Sequence, residues 1–236
     1  MKMKGLLLLS LCLQTLYTSA GIMPSQSRII YHAQDKEQTL MLANTNEYPV
    51  IVQNWIDNSE GTPEAKNIPF VSVPPVFRLE KSDVRGVRII YNHAPLPTDT
   101  ESLFWFNIYE IPPEKKGVNP DNSVLVTMNT QIKLFYRPEE ITTQPEEAIK
   151  QLTCTKQPSS VIECHNPSPL YLSVIDIKIS TDAGKVLSAT DSEFMLAPKS
   201  KKSFNFNGSV DNGQKLMVVY LNDFGEAISY ETNRLN

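Results

Sequence analysis

The chain has 236 residues, of which 41% are hydrophobic and 20% are charged, and its formal net charge is −4. This length suits two globular domains, and the composition excludes a disordered or fibrous protein. The acidic balance argues against nucleic acid as a partner, because a grip on phosphates needs clustered basic side chains. Short runs rich in Val, Ile, Thr and aromatic residues, with 17 prolines and only 9 glycines, predict an all-β protein.

The first twenty residues have the layout of a secretory signal peptide. Lys2 and Lys4 precede an apolar run from Gly5 to Leu13, and small residues lead up to Ala20. The apolar run is too short to span a bilayer. We therefore expect cleavage after Ala20, which removes two lysines and no acidic residue and takes the formal charge from −4 to −6.

Apolar alternation in the first half of the mature chain predicts eight strands, which suit a β-sandwich. Trp55 is predicted to be a core aromatic of this sandwich. Pro74 and Pro75 mark the point where the chain changes sheets, and either X-Pro bond there could be cis. The predicted strands are Arg28 to Tyr31, Gln38 to Asn44, Val50 to Asp57, Phe70 to Val73, Val76 to Leu79, Arg85 to Tyr91, Glu101 to Ile111 and Ser123 to Arg137.

The last of these strands, Ser123 to Arg137, has the features of an edge strand. Its pleat separates two sets of side chains. One face carries Val124, Val126 and Met128, and the other carries Thr127, Asn129, Gln131 and Lys133. The same alternation is also typical of an ordinary half-buried sandwich strand.

A polar, proline-bounded segment from Pro138 to Pro145 predicts a linker between two domains. One helical turn is expected within Glu146 to Leu152, and a second, smaller sandwich follows. Its predicted strands are Val161 to His165, Leu170 to Ile179, Phe194 to Leu196, Lys202 to Phe206, Gln214 to Leu221 and Ala227 to Glu231. The predicted domains are therefore residues 21–140 and 141–236.

Two cysteines remain after cleavage. Cys154 and Cys164 would lie opposite each other in a hairpin whose turn centres on Ser159, and that geometry permits a disulfide in an oxidising compartment. The alternative is a metal site that includes His165, but these three residues lack a fourth ligand.

The sequence contains none of the common catalytic or cofactor motifs. HExxH, GxSxG, a phosphate-binding loop and a complete zinc-ligand spacing are all missing. The three histidines, His32, His93 and His165, lie far apart in the sequence. We therefore predict neither an enzyme nor a bound metal or cofactor.

Several motifs resemble the periplasmic pilus (fimbrial) chaperone family, of the PapD-like type. In chain order they are Ser27 to Tyr31, Gln53 to Trp55, Val73 to Leu79, Glu101 to Pro113, the strand from Ser123 that ends in Tyr136 to Pro138, and Asn222 to Gly225, so the resemblance spans nearly all of residues 27–231. It implies two immunoglobulin-like sandwiches in an L-shape with an interdomain cleft. It also implies a periplasmic, ATP-independent chaperone that folds and caps pilus subunits and delivers them to an outer-membrane usher.

The same resemblance implies roles for individual residues. Val124, Val126 and Met128 would insert into the groove of a subunit that lacks its last strand. Arg28 and Lys133 would hold the subunit's terminal carboxylate, although without the resemblance each would be interpreted as a surface cation or an edge gatekeeper. The remaining implied set is an interdomain ionic network formed by Glu101, Arg137 and Asp223.

The short connection from Pro112 to Asn122 resembles the short-loop branch of the family. Exposed donor residues would favour self-capping or a homodimer when no subunit is bound. The alternative function is a secreted structural pilus subunit or adhesin, which would need an N-terminal extension of alternating apolar residues. Gly21 to Gln26 is too short for such an extension.

Overall fold

The computed structural model describes residues 21–114, 126–180, 184, 186–211 and 213–235. The described chain forms two immunoglobulin-like β-sandwich domains, as predicted. The strands of the first are β1 (Ile22–Pro24), β2 (Arg28–His32), β3 (Gln38–Asn44), β4 (Val50–Asp57), β5 (Phe70–Val73), β6 (Val76–Leu79), β7 (Val84–Tyr91), β8 (Ser102–Ile111) and β9 (Met128–Arg137).

The first sandwich packs a four-stranded sheet, in the order β1-β3-β7-β5, against a five-stranded sheet, in the order β2-β9-β8-β4-β6. Its core is aliphatic and aromatic, with Leu42, Val52 and Phe106 fully buried between the sheets. Strands were found at all eight predicted places. The short strand β1 was not predicted, because three residues that end in proline carry no readable alternation.

The prediction that Trp55 belongs to the core is wrong. Trp55 lies half-buried on the outer face of β4, where its indole Nε1 donates to Asp57 Oδ2 at 3.0 Å. The inward position next to it holds Asn54, which is 2% exposed. The amide Nδ2 of Asn54 donates to the carbonyl of Pro74 at 2.9 Å, after the cis peptide bond between Val73 and Pro74. Because a buried amide needs such partners, the proline turn makes this inward position suitable for asparagine.

The prediction that the last strand of the first domain is an edge strand is correct for only part of its length. β9 pairs with β8 from Met128 to Tyr136. On its other side β9 pairs in parallel with β2, but only from Lys133 to Arg137. The C-terminal half of β9 is therefore interior. Among the described residues, no strand pairs with Met128 to Ile132 on that second side, which we call the open edge.

Between the domains lie a short helix, α1 (Pro145–Ala148), and a 3-10 turn (Ile149–Gln151), where one helical turn was predicted. The second sandwich packs the sheet β10-β11-β14 against the sheet β13-β12-β15-β16. Its strands are β10 (Thr153–Gln157), β11 (Val161–Asn166), β12 (Val174–Ser180), β13 (Val186–Ser188), β14 (Ser200–Asn205), β15 (Lys215–Leu221) and β16 (Ala227–Arg234).

One predicted strand of the second sandwich is absent. The segment from Phe194 to Leu196 forms only an isolated bridge, from Leu196 to Leu172. The predicted hairpin of β10 and β11 is present, with Cys154 directly opposite Cys164. The two cysteines form a disulfide with a Cα–Cα distance of 4.1 Å, and Cys164 is fully buried in the core.

Within the described ranges, no helix has the length and apolar character that crossing a membrane requires.

Candidate functional site

Two cations lie side by side where the first domain faces the second. In the parallel register of β2 and β9, Arg28 is directly opposite Lys133, and we call these residues the cation pair. Arg28 is only 7% exposed. Its NH1 atom donates to the carbonyl of Leu221, in the second domain, at 3.4 Å. Its Nε atom is buried and has no hydrogen-bond partner among the described residues.

Lys133 is half-buried on the same face. Its Nζ atom lies 5.1 Å from the ring centroid of Trp105, which is its register partner in β8. This cation–π contact holds the ammonium in place without neutralising its charge. No described carboxylate is within ion-pair distance of either member of the cation pair.

The electrostatics of the cation pair favour an anionic ligand. Burial, and then the neighbouring Arg28, lower the pKa of Lys133, while the charge of Glu193 opposes the shift. Burial also lowers the pKa of Arg28, against the attraction of Asp223. Burial and mutual repulsion both make it unfavourable for the two side chains to carry their positive charges. A carboxylate bound between them would offset this free-energy cost.

The open edge is bordered by exposed apolar side chains. Val126 is 69% exposed and Met128 is 50% exposed. Met128 begins β9 and Val126 lies two residues before it. By the alternation of the strand, both share a face with Ile132 and Leu134, which are buried in the core of the domain. This face, which is apolar except for Thr130, therefore runs from the core out into solvent. Val124, the third predicted residue of this face, lies outside the described residues.

The opposite face of β9, together with Thr127 just before the strand, is held by polar contacts to β8. Thr127 Oγ1 accepts a hydrogen bond from the Tyr109 hydroxyl at 2.8 Å. Asn129 and Gln131 donate through their amide groups to Asn107 Oδ1, at 3.1 and 2.8 Å. Asn107 in turn donates to the buried carboxylate of Asp57 at 2.9 Å. The side chains on this face are therefore already engaged within the domain, whereas Val126 and Met128 on the other face remain exposed.

Arg137, near the end of β9, connects the two domains. Its Nε atom donates to Glu101 Oε1 at 2.8 Å, and its NH1 and NH2 atoms donate to the two oxygens of Asp223 at 2.6 and 2.9 Å. Glu101 also accepts from the backbone N–H of Tyr171, in the second domain, at 2.8 Å. The structure thus brings together all three residues of the predicted interdomain network.

The interdomain network is largely excluded from water. Arg137 and Glu101 are buried, whereas the side chain of Asp223 is 24% exposed. Burial alone lowers the pKa of Arg137, but the hydrogen bonds and charges of Asp223 and Glu101 raise it. Burial raises the pKa of Glu101 more than Arg137 and the Tyr171 amide lower it.

Sequence reasoning missed two residues next to this site. Trp105 lies under Lys133, which follows from the β8–β9 register and not from any local pattern. Phe224 follows Asp223 in a turn and is 87% exposed, which no periodicity could predict. In the part of the chain that the structure describes, no three His, Cys, Asp or Glu side chains are placed to hold a metal ion.

The fold defines a class of protein with two immunoglobulin-like domains joined through a buried ionic network. The first domain matches the family model described as pili and flagellar-assembly chaperone, PapD N-terminal domain, over residues 21–142. The second matches pili assembly chaperone PapD, C-terminal domain, over residues 147–232. The chain belongs to this family of pilus assembly chaperones.

Similar proteins agree with this assignment. The chaperone protein FimB/FhaD of Bordetella pertussis is 30% identical over 218 residues, which cover 90% of this chain and 87% of that protein. The crystal structure of the YadV chaperone is 31% identical with a TM-score of 0.78, over 91% of this chain and 99% of that one. The SafB chaperone of Salmonella enterica, solved in complex with the SafA pilin, matches with 26% identity and a TM-score of 0.75, over 90% of this chain and 96% of that one.

Proposed function

We propose that this protein is a periplasmic chaperone that folds and caps pilus subunits by donor-strand complementation. The observation that carries the proposal is the open edge of β9 beside exposed Val126 and Met128. Backbone groups of such an edge pair with a groove in the subunit, and alternate side chains enter its pockets. Similarity to a chaperone solved with a pilin supports this mode of binding.

Val124, Val126 and Met128 are the proposed inserting residues. Burying three such side chains contributes about 1.5–3 kcal/mol each before the cost of ordering is subtracted. On a free chaperone these apolar side chains are exposed to water. The proposal therefore includes self-capping or a homodimer when no subunit is bound.

The cation pair is the proposed anchor for the terminal carboxylate of the subunit. A strand alone leaves its register open, because a slip by two residues keeps the same face inward. If Arg28 and Lys133 bind the terminal carboxylate, the end of the subunit is held at one place, and this fixes the register of the donor strand in the groove. The partnerless Nε of Arg28 and the unneutralised Lys133 support this role.

The other parts of the proposal concern export and delivery. Residues 1–20 act as the signal peptide, domain 21–140 donates the strand, and domain 141–236 completes the cleft. The Cys154–Cys164 disulfide suits an oxidising periplasm. Loaded chaperone is delivered to an outer-membrane usher, and capping requires neither a cofactor nor catalysis.

Co-purification of a subunit from the periplasm tests the anchor. Arg28→Ala and Lys133→Ala each remove half of the proposed carboxylate site, so we expect loss of stable subunit complexes from a folded chaperone. Lys201→Ala is the matched control, because Lys201 is an exposed lysine that pairs with Glu163 in the second domain. Subunit recovery at the wild-type level with either anchor variant contradicts the proposal.

A further inference from the structure

Glu110, in the Glu-Ile-Pro-Pro motif at the end of β8, is a buried carboxylate with an unusual set of partners. It is 6% exposed. Its Oε1 atom accepts from Asn46 Nδ2 at 2.8 Å, and its Oε2 atom accepts from the backbone N–H of Ile22 at 2.9 Å. No lysine or arginine among the described residues forms an ion pair with it. A carboxylate buried among neutral donors alone is costly, and buried acids are usually paired with a cation.

Gly21, the predicted first residue of the mature chain, lies directly against this carboxylate. The carbonyl of Gly21 accepts from the backbone N–H of Thr45 at 3.1 Å and from its hydroxyl at 2.7 Å. A Cβ placed on Gly21 would lie 2.8 Å from Glu110 Oε2 and 3.8 Å from Met128 Cε. Gly21 has φ +82°, so glycine is favoured here by both its backbone conformation and its close contact with Glu110.

We propose that removal of the signal peptide completes a buried ion pair between the new α-ammonium of Gly21 and the carboxylate of Glu110. Hydrolysis of the Ala20–Gly21 amide consumes one water and leaves a carboxylate on Ala20 and an ammonium on Gly21, so its atoms and charges balance. The nitrogen of this ammonium is bonded to the same Cα as the Cβ position that lies 2.8 Å from Glu110 Oε2. Before cleavage the same nitrogen is a neutral amide.

The ion pair fastens β1 to the domain. β1 pairs only with β3 among the described strands, over Ile22 to Pro24, so it has few backbone bonds of its own. Glu110 is also the register partner of Met128, the first residue of β9. Processing therefore steadies the N-terminal strand and the base of the proposed donor segment together. This inference rests on the proposed export and cleavage after Ala20.

A double-mutant cycle on mature protein from the periplasm tests the ion pair. One change inserts a single serine between Ala20 and Gly21, so that the ammonium is displaced by one residue. The other is Glu110→Gln, which keeps the size of the side chain and removes its charge. The measured quantity is amide hydrogen exchange at Ile22 and Thr45, taken relative to the intrinsic rate of each sequence when unfolded so that the effect of a neighbouring ammonium is divided out. It is measured in all four proteins after mass spectrometry has established the first residue of each.

With Glu110 present, the serine insertion is expected to speed exchange at Ile22 by about tenfold or more, since a bond to a charged group is lost. In the Glu110→Gln background the insertion is expected to change exchange little. If the insertion speeds exchange equally with Glu110 and with Glu110→Gln, its effect is steric and the proposal is overturned. The proposal is also overturned if the insertion speeds exchange in neither background.

A second measurement needs no variant. The α-amine of folded wild-type protein is expected to react with an amine-selective reagent at least about tenfold more slowly than in unfolded protein, because it is buried and paired. Reaction at the unfolded rate overturns the ion pair. A mature protein that begins at a residue other than Gly21 also overturns the ion pair. Subunit co-purification is a separate experiment, so the chaperone function can still be tested if the ion pair fails.

Discussion

Lys133, one half of the proposed carboxylate anchor, differs from an exposed lysine because its charge is already disfavoured in the free protein. Burial and Arg28 lower its pKa, and Trp105 holds it in position. A bound carboxylate favours the protonated ammonium, so subunit binding must be strongest below the pKa of Lys133. Arg28 keeps its charge throughout the accessible range.

The pH dependence of subunit binding follows from this shift. We expect affinity to be constant below the lowered pKa of Lys133 and to fall as pH rises through it, earlier than for an exposed lysine. A titration of subunit affinity against pH measures this, with the chaperone's fold followed in parallel. In Lys133→Arg the decline should move to higher pH, and an unchanged profile in that variant excludes Lys133 as the titrating group.

At the scale of the strand, substitutions on the two opposite faces of the donor segment can be compared directly. Val126→Glu should severely weaken subunit capture, because a carboxylate would enter an apolar groove without a partner. Val126 is a better probe than Met128, since Met128 is near Gly21 and Glu110 and a charge there would also disturb the domain. Co-purification and circular dichroism measure capture and folding.

Asn129→Glu is the matched control for that change, because Asn129 is exposed in the opposite phase. It should have a mild effect on capture. If Val126→Glu unfolds the chaperone instead, the residue belongs to its own core. If both variants lose binding equally with folding intact, strand insertion is the wrong mechanism.

The β10–β11 hairpin carries the second element-scale prediction. Thiol labelling of unfolded, unreduced protein from the periplasm should find no free cysteine in the mature chain. Loss of the cross-link alone should destabilise the second domain by at most about 3 kcal/mol in the chain-entropy model, since the closed loop is short. Replacing both Cys154 and Cys164 by alanine should cost more, because it also removes the buried sulfur of Cys164 from the core. Two reactive thiols per chain would contradict the disulfide in the exported protein.

Most strands could be predicted from the sequence, because alternation of apolar residues is a local signal. The errors arose where distant residues decide the outcome. In β4 the buried residues Val50, Val52 and Ile56 place Asn54 inward. The carbonyls of Pro74 and Pro75, from a separate part of the chain, satisfy the amide that is buried there. Likewise, the parallel pairing of β2 with the second half of β9 joins strands that are far apart in the sequence, so the open edge could not be delimited.

The candidate site was predictable to a similar degree. The motifs identified Arg28, Lys133 and the three members of the interdomain network, because each lies in a segment that carries the family resemblance. The contacts of Lys133 with Trp105 and of Gly21 with Glu110 were not predictable, since each depends on how separate strands align. Register is set by the assembled sheets and not by any one strand.

At the scale of the whole molecule, β9 links every part of the proposed mechanism. Its N-terminal half holds the donor face and the open edge, Lys133 belongs to the cation pair, and Arg137 binds Asp223 of the second domain. Arg28 also reaches the second domain through the carbonyl of Leu221. The position of the second domain should therefore influence the shape of the carboxylate site.

Two interdomain ion pairs allow this coupling to be tested. Asp223→Asn weakens a buried, bidentate contact to Arg137, whereas Lys199→Ala removes an exposed pair with Asp99 at 2.5 Å. Exposed pairs contribute little, so Lys199→Ala should leave both subunit capture and interdomain geometry unchanged. Asp223→Asn should reduce capture and broaden the interdomain distances seen by small-angle scattering, while each domain stays folded. If capture falls without any change in scattering, Asp223 acts by its charge near Arg28 and not by orienting the domains.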